Sequence, residues 1–590
     1  MRTDRLTDED PLSRWISALA WLGLGAFLLA SFSMGVVPQD EGSWLVGYSL
    51  IFDHPEFYQS YVFGAWLSLV IGGAWLSILP EYAIWWLRAG NVVLTLFTGW
   101  LLARMLSRFC GPRARLAAAA LFILAVSAWD YRYLDYLMLS TMLYIGAMAA
   151  LTSRDRRWAL MYGLAGALLS LNVFVRFPSI VSFGLVIVIP WRAYIEKRSW
   201  RDLLARLAAF AAGAIVGVAL AAGLMAALGH LEQYVAVLSR SIVGGDERSV
   251  TYGPITLIRV YLVDKGWQLL YGLSAIAATV LVLKLVRRGS SAGEQPATSL
   301  RSVLALVPVA GVFLFLHGAS GWQTSLTLST GVALAAGVFY VFRHWRDDTD
   351  ESLVVTAGVV ACVVWPFGAA FPNYTSHYGG AILLGVLAGA AFAADRIKLP
   401  YGGELRGRVL SSVRTLGLVV LAIGFVLSHL FTDAGRGYSA YRCLAERGTL
   451  NHPAARCIAF PANVAAQLNP LLAFLDGRVK PGEEVFVAAE VPLIDYLLGT
   501  LPYNRNPWPL QWGAAAVEGG LRRAREATDR LPIVITGDPP NKPPQWHHGR
   551  EIVKSFLSQH AYATVYDSLG LQVHVPVGRL LAPADPVEAP

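Results

Sequence analysis

The sequence predicts a mainly α-helical, polytopic membrane protein with about thirteen transmembrane helices, followed by a C-terminal extracytoplasmic α/β domain. Of its 590 residues, 55% are hydrophobic and only 15% are charged, whereas an average soluble protein carries about 25% charged residues. Apolar runs long enough to span a hydrocarbon core of about 30 Å recur from Trp15 to Leu430. From Thr432 onward these runs stop, and Pro, Asn, Asp and Arg become frequent.

Transmembrane helices are expected wherever an apolar run approaches the length of a bilayer span. The first run is longer than the hydrophobic core of a signal peptide, so it is predicted to be a retained helix. The predicted spans are residues 15–36, 82–104, 116–130, 136–152, 158–172, 177–191, 205–229, 267–286, 302–318, 325–342, 353–371, 378–394 and 414–431.

Lysine and arginine are distributed unevenly between the two sets of loops. If the N-terminus is cytoplasmic, most of the Lys and Arg residues before residue 432 lie in cytoplasmic segments, as the positive-inside rule requires. An odd number of crossings then places the C-terminal domain outside. The sequence therefore predicts a multi-pass protein of a bacterial-type inner (cytoplasmic) membrane. This arrangement explains the net charge of +8 without a nucleic-acid partner.

Three regions are predicted along the chain: a transmembrane domain over 1–431 with its first outside loop at 37–81, an α/β domain over 432–577, and a flexible tail over 578–590. In the α/β domain, residues 484–488 and 531–536 are apolar enough to form buried strands, and 564–576 has the pattern of a hairpin. Cys443 and Cys457 both lie there, outside the reducing cytoplasm, and their spacing leaves a disulfide open.

The first outside loop is acidic and contains no Lys or Arg. Asp40 and Glu41 follow the first helix directly, at the membrane surface. A carboxylate at the edge of a membrane cavity could accept a proton from an acceptor hydroxyl as a general base. The alternative is an exposed acidic loop in which Asp40 caps a helix. The apolar segment 61–79 is predicted to be a helix lying along the interface.

Charged and aromatic residues on the outside face are candidates for substrate binding. Arg88 lies inside the second helix, where a charge is costly and usually faces a protein interior or a wet cavity, unless it snorkels to the surface. Asp130 and Asp135 are its candidate partners, or form a second carboxylate set. Arginine pairs well with phosphate, although each of these side chains could instead be an interfacial anchor. The further candidates are Arg176, Arg259, Lys265, Tyr374, His377 and Tyr378.

Several motifs are absent from the sequence. It has no phosphate-binding P-loop, no Gly-rich dinucleotide turn and no His-x-x-x-His pair. ATP-driven transport and the use of nucleotide sugars are therefore not expected, and no metal ligand set is predicted.

The order of these features resembles the polytopic C-type (GT-C) glycosyltransferases, which include protein O-mannosyltransferases and lipid A aminoarabinose transferases. The shared features are Pro38–Gly42 after the first helix, the helix 61–79, Leu87-Arg88, the break at 176–178 and the turn 373–378. The resemblance implies an inverting transfer from a polyprenyl-phosphate-linked sugar to a lipid, glycan or protein acceptor.

The resemblance also implies roles for individual residues. Asp40 would be the base, Glu41 would position the acceptor, and Asp130 or Asp135 would match a second-loop acid. Some members of the superfamily use a divalent cation, which is therefore a possible cofactor. The donor phosphate would be bound by residues among Arg176, Arg259, Lys265 and His377.

Three alternatives remain at the level of sequence. A lipid or glycan transporter or flippase would need charged or broken helices near the membrane midplane. A long outside loop between helices would favour an oligosaccharide polymerase or ligase, whereas here the large soluble region is C-terminal. A non-catalytic assembly factor would not need the acidic pair.

Overall fold

The computed structural model describes most of the transmembrane region and of the C-terminal domain. Asp130, Lys265, Cys443 and the predicted span 302–318 lie outside the described residues. The described residues are 11–36, 38–59, 61–127, 133–243, 258–259, 261–263, 266–270, 273–274, 322–365, 372–393, 422–426, 447–512, 514–537 and 545–580.

The described part of the chain is mainly helical, as predicted. Short 3-10 helices also occur, the longest being Phe177–Ile187. The α-helices are α1 (Pro11–Phe32), α2 (Asp40–Leu50), α3 (Trp66–Leu76), α4 (Ala83–Leu106), α5 (Pro112–Ser127), α6 (Tyr136–Leu151), α7 (Trp158–Val175), α8 (Val188–Ile195), α9 (Trp200–Ala227), α10 (Leu231–Val243), α11 (Trp322–His344), α12 (Asp350–Val364), α13 (Pro372–Ala393), α14 (Ala462–Leu475), α15 (Leu493–Leu498), α16 (Ala514–Ala527), α17 (Gln545–Gln559) and α18 (Val577–Leu580).

Four helical segments among the described residues are long and apolar enough to cross a membrane: Pro80–Leu106, Trp158–Val175, Phe177–Ile195 and Trp200–Ala227. These are segments of a multi-pass membrane protein, and each overlaps a predicted span. They do not establish the predicted number of about thirteen. The segment predicted to lie along the interface is helical, with a 3-10 turn followed by α3; its location at the membrane surface stays a prediction.

The chain divides into two compact units. The first comprises residues 1–32, 90–221 and 254–434, and its core is a bundle in which α13 packs against α5, α11 and α12 while α6 packs against α7. Helices α7 and α9 approach closely, because a Cβ on Gly213 would lie 1.8 Å from the Gly163 carbonyl oxygen. Small residues allow such backbone contact between membrane helices.

The second unit comprises residues 33–89, 222–253 and 435–590. Its five-stranded sheet has the order β4-β3-β5-β7-β6. Strands β3, β4 and β5 are parallel, whereas β7 is antiparallel to β5 and β6. A two-stranded sheet pairs β1 with β2. The strands are β1 (Arg447–Gly448), β2 (Phe460–Pro461), β3 (Glu484–Ala488), β4 (Leu501–Pro502), β5 (Ile533–Gly537), β6 (Tyr562–Ser568) and β7 (Leu571–Pro576).

The sequence predictions for this sheet are confirmed. Strand β3 has the predicted bounds, β5 begins two residues later than predicted, and β6 and β7 form the predicted hairpin. The hairpin turns at Leu569 and Gly570, both with positive φ. Glycine adopts this conformation without steric cost, which explains its place in the turn.

His574 makes the sheet of the second unit sensitive to acid. Its ring nitrogens lie 2.9 Å from the Thr536 hydroxyl on β5 and 3.0 Å from the Thr564 hydroxyl on β6. Burial lowers the pKa of His574, and nearby Asp567 partly opposes this. Because the folded pKa lies below the unfolded value of about 6.5, the stability from this group is complete above that value and is lost as pH falls toward the folded pKa.

We therefore expect hydrogen–deuterium exchange of the strands around His574, corrected for its intrinsic pH dependence, to accelerate between pH 7.5 and pH 5.5. His574→Gln should show a smaller acceleration over this range, because it has no imidazole to protonate. His560→Gln is the matched control, since His560 follows α17 and its ring contacts Phe556, a residue of that helix. An unchanged pH dependence in His574→Gln would contradict this explanation.

Candidate active site

The acidic pair of the first outside loop opens a helix. Asp40 and Glu41 are the first two residues of α2, which follows Gln39 as its N-cap. Because Gln39 occupies the N-cap position, Asp40 is the first helical residue rather than the predicted alternative of a helix cap. Carboxylates in a first helical turn are favoured by the helix dipole. The two side chains differ in burial, because Glu41 is 1% exposed whereas Asp40 is only partly buried.

Arg88 and Glu41 form a buried, two-point ion pair. Arg88 Nε donates to Glu41 Oε1 at 2.8 Å, and Arg88 Nη2 donates to Glu41 Oε2 at 2.6 Å. Arg88 is itself 1% exposed, so it does not snorkel to a surface. Among the described residues Glu41 is its carboxylate partner, and the predicted partner Asp130 lies outside the described residues. Both side chains have their charge balanced by the other, which favours a positioning role for each.

The same guanidinium also holds the chain immediately before the acidic pair. Arg88 Nη2 donates to the Gly35 carbonyl oxygen at 2.5 Å, and Nη1 donates to the Met34 carbonyl oxygen at 3.4 Å. Arg88 therefore binds the backbone on one side of Asp40 and the Glu41 carboxylate on the other. These contacts fix the backbone immediately before Asp40 and the side chain immediately after it.

Residues in the C-terminal part of the second unit also form hydrogen bonds with the segment before Asp40. The Gly35 amide donates to the Ala459 carbonyl oxygen at 2.8 Å, and the Ala459 amide donates to the Ser33 carbonyl oxygen at 3.0 Å. The Leu493 amide donates to the Pro38 carbonyl oxygen at 3.3 Å. The loop that carries Asp40 is thus hydrogen-bonded to residues more than 400 positions later in the chain.

Gly42 is required for the close packing of α2 against α15. A Cβ at this position would lie 2.4 Å from the Leu493 amide nitrogen and 2.7 Å from its Cα. These are backbone atoms that a side-chain rotation cannot move. The absence of a side chain at Gly42 therefore allows α15 to pack directly behind the acidic pair.

Two tryptophans join α3 to the start of α4. The rings of Trp75 and Trp86 are stacked, with centroids 4.7 Å apart and planes 7° from parallel. Each indole Nε1 donates to the backbone carbonyl of the other residue, at 2.8 Å and 2.9 Å. Since Trp86 precedes Arg88 by two residues, this reciprocal contact helps to orient the helical turn that carries Arg88.

The first unit contains a second group of predicted site residues. Asp135 is the N-cap of α6, and its Oδ1 accepts a hydrogen bond from the Met138 amide at 3.0 Å. The Arg176 guanidinium lies 5.5 Å from the centre of the Tyr136 ring. Burial raises the pKa of the Asp135 carboxyl to about 7, although the helix amides and Arg176 act in the opposite direction. Asp135 and Arg176, predicted from separate loops, therefore lie together at one end of α6 and α7.

The other predicted residues are placed less closely or not at all. Arg259 is exposed, and Tyr378 is buried in the core of the helix bundle. Tyr374 and His377 belong to the first turns of α13, and Asp130 and Lys265 lie outside the described residues. Cys457 is exposed and forms no disulfide within the described part of the chain.

No group of three or more His, Cys, Asp or Glu residues that could hold a metal ion occurs among the residues described here. The sequence analysis did not select Gly42, Trp75 or Trp86 as residues that support the position of Asp40. For Gly42, the only local signal was its position beside the acidic pair, because its packing partner Leu493 lies hundreds of residues later in the chain.

Comparison with known proteins gives similar structures but no sequence relatives. No protein-family model matches the chain, and no curated protein sequence matches it. It is similar to the archaeal oligosaccharyltransferase AglB from Archaeoglobus fulgidus in complex with an inhibitory peptide and a dolichol-phosphate, with 12% identity, coverage of 98% of this chain and 76% of that one, and a TM-score of 0.45.

It is also similar to ArnT from Cupriavidus metallidurans bound to undecaprenyl phosphate, with 12% identity, coverage of 97% of this chain and 98% of the other, and a TM-score of 0.43. Both neighbours are GT-C glycosyltransferases, the superfamily that the sequence resembles. A TM-score below 0.5 does not indicate a shared function.

Proposed function

We propose that this protein is an inverting membrane glycosyltransferase. It moves a sugar from a polyprenyl-phosphate-linked donor to an extracytoplasmic lipid, glycan or protein acceptor. The observation that carries the proposal is the position of Asp40, which Arg88 brackets by binding Glu41 on one side and the backbone at 34–35 on the other. A partly buried carboxylate held in this way has the fixed geometry that a general base needs.

In the proposed reaction, Asp40 accepts the proton of the acceptor hydroxyl while the oxygen of that hydroxyl attacks the anomeric carbon of the donor sugar. The bond between this carbon and the phosphate oxygen breaks, and polyprenyl phosphate leaves with the electron pair. Attack on the face opposite the leaving group inverts the anomeric configuration. Fixed cations are most effective at stabilising a departing phosphate, and Arg176 and Arg259 stay the sequence predictions for this role.

Glu41 has a different role from Asp40 in this proposal. Both of its carboxylate oxygens accept hydrogen bonds from Arg88. Protonation of Glu41 would remove its negative charge and weaken the ion pair with Arg88. We assign proton transfer to Asp40, and positioning of the site to Glu41 and Arg88. The divalent cation that some members of the superfamily use has no ligand set of three or more His, Cys, Asp or Glu residues among the described residues.

The proposed topology supplies a chemical reason for the lipid-linked donor. In this topology the N-terminus lies in the cytoplasm of a bacterial-type cell. Asp40 and the C-terminal domain lie outside, where nucleotide sugars are absent. A donor that reaches this side must be carried by a membrane lipid.

A donor test with purified protein addresses the substrate class. In proteoliposomes supplied with a cell-envelope extract as acceptor, we expect release of free polyprenyl phosphate from a polyprenyl-phosphate-linked sugar. A nucleotide sugar alone should give no transfer. Transfer from the nucleotide sugar, or no consumption of any lipid-linked sugar in a panel of hexoses and aminopentoses, would contradict the proposed donor class.

A further inference from the structure

Asn172 is a fully buried polar side chain in the first unit. It is 0% exposed, and among the described residues neither its amide oxygen nor its amide nitrogen has a hydrogen-bond partner. An asparagine amide can accept two hydrogen bonds and donate two. Leaving such a group unpaired inside a protein is costly, and native structures rarely do so without a water or ligand to complete it.

Asn172 lies close to Arg176 in the chain. Asn172 lies near the end of α7, and its carbonyl oxygen accepts a hydrogen bond from the Arg176 amide at 3.1 Å. Arg176, four residues later, is the C-cap of α7 and has an extended backbone. Arg176 is partly exposed whereas Asn172 is buried, so the cation lies nearer the surface and the amide deeper in the bundle.

Asp135 supplies a second buried polar atom at this end of the bundle. It is 2% exposed, and its Oδ2 accepts no hydrogen bond within the described part of the chain. The start of α6, where Asp135 lies, is brought to the end of α7 by the contact between the Arg176 guanidinium and the Tyr136 ring. Arg176 thus lies near Asp135 and is bonded through its backbone to Asn172, so two buried polar groups with unused hydrogen-bonding capacity occur at this end of the bundle.

We infer that Asn172 is a specificity-determining residue that recognises the hydroxyl groups of the donor sugar. This inference rests on the proposed function, because it names the sugar-recognition part of the same donor site. A ligand with an anion at the surface and several hydroxyls a few Å deeper matches the arrangement of Arg176, Asn172 and Asp135. Hydroxyl groups both donate and accept, so they can satisfy a carboxamide and a carboxyl oxygen together.

The inference separates recognition of the sugar from recognition of the phosphate. Asn172 contributes to binding only when the lipid phosphate carries a sugar, whereas Arg176 contributes whether or not a sugar is present. A purely structural asparagine would affect both ligands equally through the fold. An asparagine that binds only an ordered water would affect neither.

The test is equilibrium binding of two probes to full-length protein in nanodiscs. One probe is undecaprenyl phosphate, and the other is undecaprenyl phosphate carrying the hexose or aminopentose that the wild type binds most tightly. For Asn172→Leu we expect the sugar-linked probe to bind about tenfold more weakly, which corresponds to about 1.4 kcal/mol. Binding of undecaprenyl phosphate alone should change less than about twofold, and the melting temperature should be equal to or above that of the wild type.

Thr141→Val is the matched control, because Thr141 is also fully buried but its hydroxyl already donates to the Leu137 carbonyl at 2.7 Å. It should leave the ratio of the two affinities unchanged. Asn172→Ala provides the same measurement if the leucine variant does not fold. An unchanged ratio in the Asn172 variants, or an equal loss for both probes together with a lower melting temperature, would overturn the inference.

These outcomes are distinct from a failure of the proposed function. The binding ratio does not depend on transfer, so Asn172 can be tested in protein whose Asp40 has been replaced. A protein that binds the sugar-linked probe through Asn172 but transfers nothing would retain the inference and contradict the enzyme. A wild type that binds both probes equally would contradict sugar recognition directly.

Discussion

Replacing Arg88 with methionine is expected to destabilise the second unit by about 3–5 kcal/mol. The reason is that Glu41 stays buried while losing both hydrogen bonds that balance its charge. The backbone carbonyl groups of Met34 and Gly35 also lose a donor. The free energy of unfolding, measured by pulse proteolysis of detergent-solubilised protein, should fall by this amount relative to the wild type.

A double variant distinguishes loss of the pair from loss of packing. Combining Arg88→Met with Glu41→Gln removes the unpaired charge, so most of the lost stability should return, as is typical when both members of a buried pair are replaced. Arg104→Met is the matched control, since Arg104 is an exposed arginine in the last turn of the same helix. A single Arg88 variant as stable as wild type would show that the ion pair is not a structural requirement.

Local features of the fold could be predicted from the sequence. The apolar runs identified α4, α7 and α9, and the apolar strand Glu484–Ala488 was predicted with its observed bounds. The composition change near Thr432 correctly predicted a C-terminal region with a different fold, which contains the sheets. In these cases the burial of apolar side chains determines structure over a few residues, so the sequence pattern contains the information.

The candidate site could be predicted only in part, because its contacts are made between distant segments. Asp40, Glu41 and Arg88 were selected as charged residues in unusual places, but the sequence did not show that Arg88 binds Glu41. The contact of Gly42 with Leu493 has no periodic signal, since it depends on how α15 packs on α2. Asn172 was not selected as a site residue from the sequence, and its unpaired amide becomes apparent only when burial is known.

Replacing Asp40 with asparagine is expected to lower the rate of glycosyl transfer by about 10²–10⁴-fold, the usual contribution of a general base. The amide has nearly the same shape but cannot accept the proton of an acceptor hydroxyl. The Glu41–Arg88 hydrogen bonds are made by other side chains, so they should persist in this variant. Glu41→Gln should instead lower both stability and activity, because it weakens the contact that positions the site.

Asp53→Asn is the matched control for Asp40→Asn. Asp53 belongs to the same acidic loop and is exposed beyond the end of α2, so its replacement should leave the transfer rate unchanged. A similar loss of activity in both variants would indicate that the overall negative charge of the loop matters rather than Asp40 itself.

The most direct measurement is the single-turnover rate of sugar transfer by Asp40→Asn with the lipid-linked donor bound to saturation. Saturation removes any effect of donor affinity, so the measured rate reports the chemical step. We expect donor binding and melting temperature close to those of the wild type and a transfer rate at least about 100-fold lower. A transfer rate near that of the wild type, in properly folded and donor-saturated protein, would contradict the assignment of Asp40 as the base.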